Sequence, residues 1–401
     1  MAAGLFEDLL VIDCASFIAG PAAATIMADF GARVIKVEPP GMGDSYRQFR
    51  YMTGSPKAEM DYGWVLDNRN KESLALDLKQ PEARAILEDL LRKADVFITN
   101  FPGPVRDKLK LRAEDLMPLN DRLIYASITP YGEFGPDKDR TGYDTTAWWA
   151  RSGLMDHVRA APDLPPGFST PGMGDHPTAT ALYAGIVSAL YRRMKTGKGD
   201  HVTTSLLANG LWSNGVLLQA ALCGADLYAP RDRSALANLY RCRCGRWFIL
   251  AIINDTRDWP RLLACLGVEA WADDPRFATS ELRKANVADL AARMSELFGT
   301  DDFSVWGARL AAAGIPIGHI GRTVDHFEDA QVAANAFLKP ISDQPELRTI
   351  DSPVRLDGIA KSEPRLAPDI GQHSAAILAE LGLSRDEIDR LAAQGAVGLS
   401  G

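Results

Sequence analysis

The pentapeptide Pro-Gly-Met-Gly-Asp occurs twice in this chain, at residues 40–44 and 171–175. The first copy follows a strand-like run and leads to Arg47. The second runs through His176-Pro177 into Thr178–Lys195, whose composition reads as a strong helix with Ala181, Gly185 and Ser188 on a small-residue side. Asp175 is thus presented on a glycine-flexible loop at a helix N-terminus, where free N–H groups and the helix dipole favour an ionised carboxylate. Such a residue can be a plain helix cap. It can also be a nucleophile that needs no general base, because it is ionised near neutral pH.

Other chemistries find less support. His157, His176, His201, His319, His326 and His373 show no metal-ligand spacing, and no G-x-S-x-G elbow marks a serine hydrolase. Cys14, Cys223, Cys242, Cys244 and Cys265 are scattered, and Cys242 and Cys244 form a lone C-x-C, so no zinc site is expected. Few cysteines in a long chain fit a reducing compartment. Glu38 ends a strand about 20 residues after the first turn, as in a dinucleotide fold. That turn, Ala15 to Pro21, has no G-x-G-x-x-G, which disfavours a nicotinamide cofactor. With 44 Lys and Arg against 52 Asp and Glu, the formal charge of −8 argues against general nucleic-acid binding.

These residues must be carried by an ordered frame. Leu9–Asp13, Arg33–Glu38, Ser73–Leu78, Asp95–Asn100 and Leu123–Ser127 are short apolar runs of strand length, with helical segments from Pro21 to near Gly31 and over Pro81–Lys93. Strands alternating with helices predict a parallel sheet in an α/β fold. From Thr129 to Gly174 the chain is rich in Gly, Pro and Asp, with a helical stretch expected over Asp144–Met155 and a strand over His201–Ser205. A hairpin around Cys244-Gly245 and helices at Asp258–Leu266, Ser280–Leu297 and Asp302–Ala313 predict a second, smaller α+β domain. The expected division is a large domain over 1–220, a small one over 221–329, and a return segment over 330–401 that completes the large one. Two short helices ending near Ala393 follow a proline-rich stretch, Ser352–Pro368. The N-terminus lacks the pattern of a signal peptide. The most apolar stretch, Cys14 to Ala28, is too short to span a bilayer. A cytoplasmic protein without membrane contact is expected.

Several segments in order resemble the class III CoA transferases (CaiB/BaiF type, formyl-CoA transferase-like): Val11-Ile-Asp13 with Ala19-Gly-Pro21, Gly31–Glu38, Gly43–Arg47, Asn70–Lys79, Ala94–Phe101, Gly142-Tyr-Asp144, Gly174-Asp175 and Thr196–Gly199. The resemblance implies a large Rossmann-like parallel-sheet domain, a smaller α+β domain and an interlocked homodimer joined through segments near 210–240 and 330–360. It implies that Asp175 attacks an acyl-CoA thioester to give a mixed anhydride, and that CoA thiolate then forms an aspartyl-CoA thioester. An acceptor carboxylate reverses these steps. CoA or acyl-CoA is then a substrate, with a small carboxylic acid as its partner, no tightly bound cofactor and no metal. CoA is expected against Ile18, Ala19, Leu76, Asp77, Leu78, Lys79, Asn100, Phe101 and Pro102, with Lys108, Thr141, Tyr143 and Asp144 at further matching positions.

The sequence departs from that pattern at Pro39 and Lys108, which stand where formyl-CoA transferase has basic residues. Lys108 replaces an Arg, so a bidentate phosphate grip becomes a point charge. The glycine-run loop of that enzyme has no counterpart, Asn238–Gly245 being short and cysteine-bearing. Shielding of the anhydride is expected from Trp148, Trp149 or the loop over 156–171. Trp148, Trp149 and Arg151 suit an aromatic or a dicarboxylic substrate. The alternatives are an α-methylacyl-CoA racemase, a non-catalytic acyl-CoA-binding protein, and transfer within one diacid. The first needs two acid/base groups. Tyr143 stands where racemases of this family carry a His, so His157 or His176 would have to compensate.

Overall fold

The computed structural model describes residues 4–161, 163–228 and 234–400. They form two units, Met1–Ala225 with Ala336–Gly401, and Asp226–Asn335. The first part of the larger unit contains β1 (Leu10–Asp13), α1 (Ala19–Asp29), β2 (Arg33–Glu38), α2 (Tyr62–Asn68), β3 (Glu72–Leu76), α3 (Pro81–Leu91), β4 (Val96–Thr99) and α4 (Gly103–Leu109). It continues with α5 (Ala113–Leu116), β5 (Ile124–Thr129), α6 (Leu154–His157), α7 (Asp175–Thr196), β6 (Asp200–Ser205), α8 (Leu206–Ser213) and α9 (Gly215–Leu222).

The smaller unit holds β7 (Ala237–Arg241), β8 (Trp247–Ala251) and β9 (Ile317–His319) in one antiparallel sheet. Its helices are α10 (Asp255–Leu266), α11 (Ser280–Ala285), α12 (Val287–Phe298), α13 (Phe303–Ala312) and α14 (Ala330–Ala334). Tyr240, Phe248, Phe298 and Trp306 fill its core. The chain returns to the larger unit with the hairpin β10 (Leu338–Ile341) and β11 (Gln344–Ile350), then α15 (Ser374–Glu380), α16 (Arg385–Ala393) and β12 (Val397–Gly398).

The main sheet has the order β12-β3-β2-β1-β4-β5-β6 and is parallel except for the edge strand β12. Parallel strands covered by helices on both faces need apolar side chains on both, which is why Leu10–Asp13 and Val96–Thr99 read as continuous apolar runs. One face buries α1 and α7 through Ala22, Ala23, Ala179, Leu182 and Ile186. The other covers the sheet with Ile86, Leu87, Leu90, Ile377 and Leu391. The order reverses between β1 and β4, and such a switch point opens a crevice at the carboxyl ends of the strands.

Three elements differ from expectation. The first helix starts at Ala19, ahead of Pro21, because the first-turn N–H groups lack helical partners and a proline there loses nothing. The stretch from Asp144 divides into a wide π-type turn over Asp144–Ala150 and the separate α6, with Gly153 (φ +88°) making the break. Ser280–Leu297 is two helices, α11 and α12, parted at Asn286.

Candidate active site

A cavity of about 400 Å³ opens at the switch point. Ile18 lines it from the loop after β1, Ala19 from the start of α1, and Asn100 and Pro102 from the loop after β4. Thr141, Tyr143 and Asp144 come from the segment before and at the π-type turn, and Asp175 from the start of α7. The loop after β1 is pinned: Asn100 accepts the Ser16 N–H at 2.8 Å and donates to the Ser16 carbonyl at 2.7 Å, while Asp44 accepts the Phe17 N–H at 3.2 Å. These bonds hold Phe17 at φ +61°, a left-handed conformation costly for a residue with a side chain.

The two Pro-Gly-Met-Gly-Asp copies meet different fates. Asp44 is buried and spent, accepting from Lys36 at 2.8 Å and from the Tyr46 N–H at 2.9 Å. Lys36 also donates to the Ala15 carbonyl, which braces the turn beneath the cavity. Glu38, the residue a dinucleotide fold would turn to a ribose, is bound by Arg47 at 2.7 Å and Ser73 at 2.6 Å. Asp175 is the unspent copy. Burial, and then the charge of Asp144, push its pKa up to about 7, with His176 opposing and no hydrogen bond among the influences. The helix N-terminus favours the ionised form, and burial and Asp144 act against it. α7 begins at Asp175 itself after Gly174. Asp144 accepts the Gly174 N–H at 3.4 Å. A Cβ on Gly174 would stand 2.5 Å from Trp148, so only glycine lets the helix start this close to the π-type turn.

Asp175 therefore sits in an apolar wall with Ile18, Phe17, Phe49 and Leu206, at a helix start, with a carboxyl that titrates near neutrality. The model of CoA-transferase family III matches residues 6–374. The chain belongs to this family. It is 32% identical over 392 residues to the (R)-2-hydroxy-4-methylpentanoate CoA-transferase of Clostridioides difficile, covering 96% of this chain and 97% of that one. It is 31% identical over 396 residues to the cinnamoyl-CoA:phenyllactate CoA-transferase of Clostridium sporogenes, covering 96% of each. A CaiB/BaiF family protein from Brucella suis has the same fold, with a TM-score of 0.81 at 31% identity over 93% of this chain and 98% of that one.

In this family III CoA-transferase the expected CoA contacts fall into two places. Ile18, Ala19, Asn100, Pro102, Thr141, Tyr143 and Asp144 share the cavity with Asp175. Leu78, Lys79 and Lys108 instead line a smaller cavity of about 200 Å³, together with Arg84 and Lys110. Helix α4 connects the two, since Pro102 precedes it and Lys108 lies in its last turn. Leu76 and Asp77 line neither: Leu76 is core, and Asp77 binds the turn through Lys79 N–H and Gln80. Phe101 packs on the core instead of walling a cavity. Trp148 and Trp149 stack at 5.9 Å behind the cavity, and Trp149 donates to the Gly167 carbonyl at 2.9 Å, fastening the loop that brings Ser169 to the wall. Arg151 turns to Asp137 at 3.0 Å. Phe17, Phe49, Ser169 and Arg84 carry no motif of their own, because only the close approach of separate segments brings them in.

Proposed function

We propose that this chain moves CoA from an acyl-CoA thioester to a carboxylic acid, with Asp175 as nucleophile. The supporting observation is a carboxyl with no side-chain hydrogen bond among the described residues, lining the switch-point cavity beside apolar side chains. Its ionised form attacks the thioester carbonyl, the C–S bond breaks, and an aspartyl anhydride and CoA thiolate result. The thiolate attacks the aspartyl carbonyl, releasing the donor acid and leaving an aspartyl-CoA thioester. An acceptor carboxylate attacks that thioester and expels thiolate. The thiolate then attacks the acceptor's carbonyl in the new anhydride and regenerates Asp175. The apolar wall limits water, to which both intermediates are labile.

For CoA, the seven-residue α4 spans about 10 Å. An elongated ligand with its thiol at Asp175 would run along α4 and set its phosphates beside Lys79, Lys108, Arg84 and Lys110. Phe17, Ile18, Phe49 and Leu206 favour a branched or aromatic acyl group, a class that the names of both relatives contain. A homodimer is supported by α9, an apolar helix with no buried residue in this chain, and by Trp212 and Leu222, which are 84% and 74% exposed.

Intact-mass and peptide spectrometry after incubation with a panel of acyl-CoAs and hydroxylamine tests the reading. A hydroxamate at Asp175, absent in Asp175→Ala, is expected. No adduct, with deuterium exchange at the α-carbon of a branched acyl-CoA, would favour a racemase instead.

A further inference from the structure

Two hydroxyls from distant segments meet on the lining of the Asp175 cavity. Thr145 Oγ1 of the π-type turn and Ser169 Oγ of the loop fastened by Trp149 lie 3.2 Å apart. Thr145 Oγ1 is also 3.3 Å from Oδ1 of Asp144, which takes the Thr145 N–H as well. The protons set the direction of this relay. A carboxylate only accepts, so the one hydroxyl proton of Thr145 is committed to Asp144. Ser169 then donates its own proton to Thr145, since two lone pairs would otherwise face each other. The Ser169 oxygen is left on the cavity lining with unused lone pairs and no proton to give. Toward a ligand it can only accept.

Its place narrows what it accepts from. The other oxygen of Asp144 takes the Gly174 N–H at 3.4 Å, and Gly174 directly precedes Asp175 at the start of α7. The relay is thereby tied to the end of the cavity where Asp175 sits. Two further polar lining residues are engaged with backbone, Asn100 with Ser16 and Thr129 with the Gly132 N–H at 2.9 Å. Phe17, Ile18, Phe49 and Leu206 make the lining otherwise apolar. We propose that Ser169, set by Thr145 and Asp144, is a specificity-determining residue that reads a hydroxyl beside the carboxyl of the transferred acid. The chain then selects 2-hydroxy acids with an apolar tail over their unsubstituted and 2-oxo counterparts. A 2-hydroxyl brings Ser169 a proton. A 2-oxo group of nearly the same size brings only lone pairs, and a methylene leaves the Ser169 oxygen without a partner.

The inference rests on the reading that Asp175 carries CoA between acids, so binding is measured apart from transfer. Transfer from acetyl-CoA, succinyl-CoA and 3-methylbutanoyl-CoA is followed to 3-methylbutanoate, both enantiomers of 2-hydroxy-3-methylbutanoate, and 3-methyl-2-oxobutanoate. The unaltered protein should favour one hydroxy enantiomer over the other two acids by about tenfold in kcat/KM, as one hydrogen bond gives. Ser169→Ala should bring that preference below about twofold. Thr145→Val removes the middle oxygen and frees the Ser169 proton to donate, so the 2-oxo acid should gain severalfold on the hydroxy acid. A merely structural role would slow all the acids alike. In Asp175→Asn, calorimetry of the same acids in the presence of CoA should give the same order as dissociation constants. No preference among the acids, a preference unmoved by Ser169→Ala, or a 2-oxo acid unimproved in Thr145→Val would overturn the proposal. So would Ser169→Ala raising only the KM for the acyl-CoA, which would assign Ser169 to the amides of CoA. The hydroxy-acid order in binding, with no transfer from any of the thioesters, would support the hydroxyl reading and overturn the transfer reading on which it rests.

Discussion

Two identical pentapeptides end in aspartates with different surroundings. Asp44 is held by Lys36 and two backbone N–H groups, whereas Asp175 lines the cavity together with Asp144 and the apolar Ile18, Phe49 and Leu206. A carboxyl with a folded pKa near 7 and an unfolded one near 3.8 binds its proton more tightly when folded. Stability is then lost as pH rises from about 4 to 7, and the whole penalty is present above 7. Asp175→Asn should therefore leave stability unchanged below pH 4 and raise it at pH 8 by about 2–4 kcal/mol. Urea unfolding at both pH values measures this, and the variant should form no adduct.

At the scale of elements, the site depends on how closely α7 starts beside the π-type turn. Gly174 permits a contact that any side chain would obstruct, with Trp148 buried and unable to move aside cheaply. Gly174→Ala should cost about 1–3 kcal/mol, as overpacking of a filled core does. It should also slow adduct formation more than it weakens CoA binding, since the shift falls on Asp175. Denaturant unfolding and single-turnover trapping separate the two effects. The loop after β1 is positioned differently, through Asn100 and Asp44, side chains from two other strand ends.

Across the larger unit, the apolar cavity and the basic cavity are joined by one short helix, and this suits a ligand with a reactive thiol at one end and phosphates at the other. Lys79→Ala and Lys108→Ala should each raise the KM for acyl-CoA about tenfold, the loss of one charge-assisted contact, with kcat changed less than about twofold. The effect should shrink at high salt, because exposed charges are screened. Steady-state kinetics at two ionic strengths reads both. No helix among the described residues is long and apolar enough to cross a membrane, and no cluster of His, Cys, Asp or Glu among them is placed to hold a metal ion.

Much of this was legible in the residues themselves. The alternation of apolar runs and helices set the parallel sheet, because strands buried on both faces must be apolar throughout. Ordered short motifs pointed to the family, and Gly174-Asp175 before a strong helix singled out Asp175, the proposed nucleophile. Tertiary structure decided what depends on approach between distant segments. It separated Asp44 from Asp175, divided Lys79 and Lys108 from the main cavity, and sent Leu76 and Phe101 to the core. It also raised the Asp175 pKa and tied His176 to Asp67, more than a hundred residues away in the chain. The physical reason is common to all: periodicity and composition are local, whereas burial, charge pairing and desolvation are set by whichever neighbours the fold brings within a few ångströms.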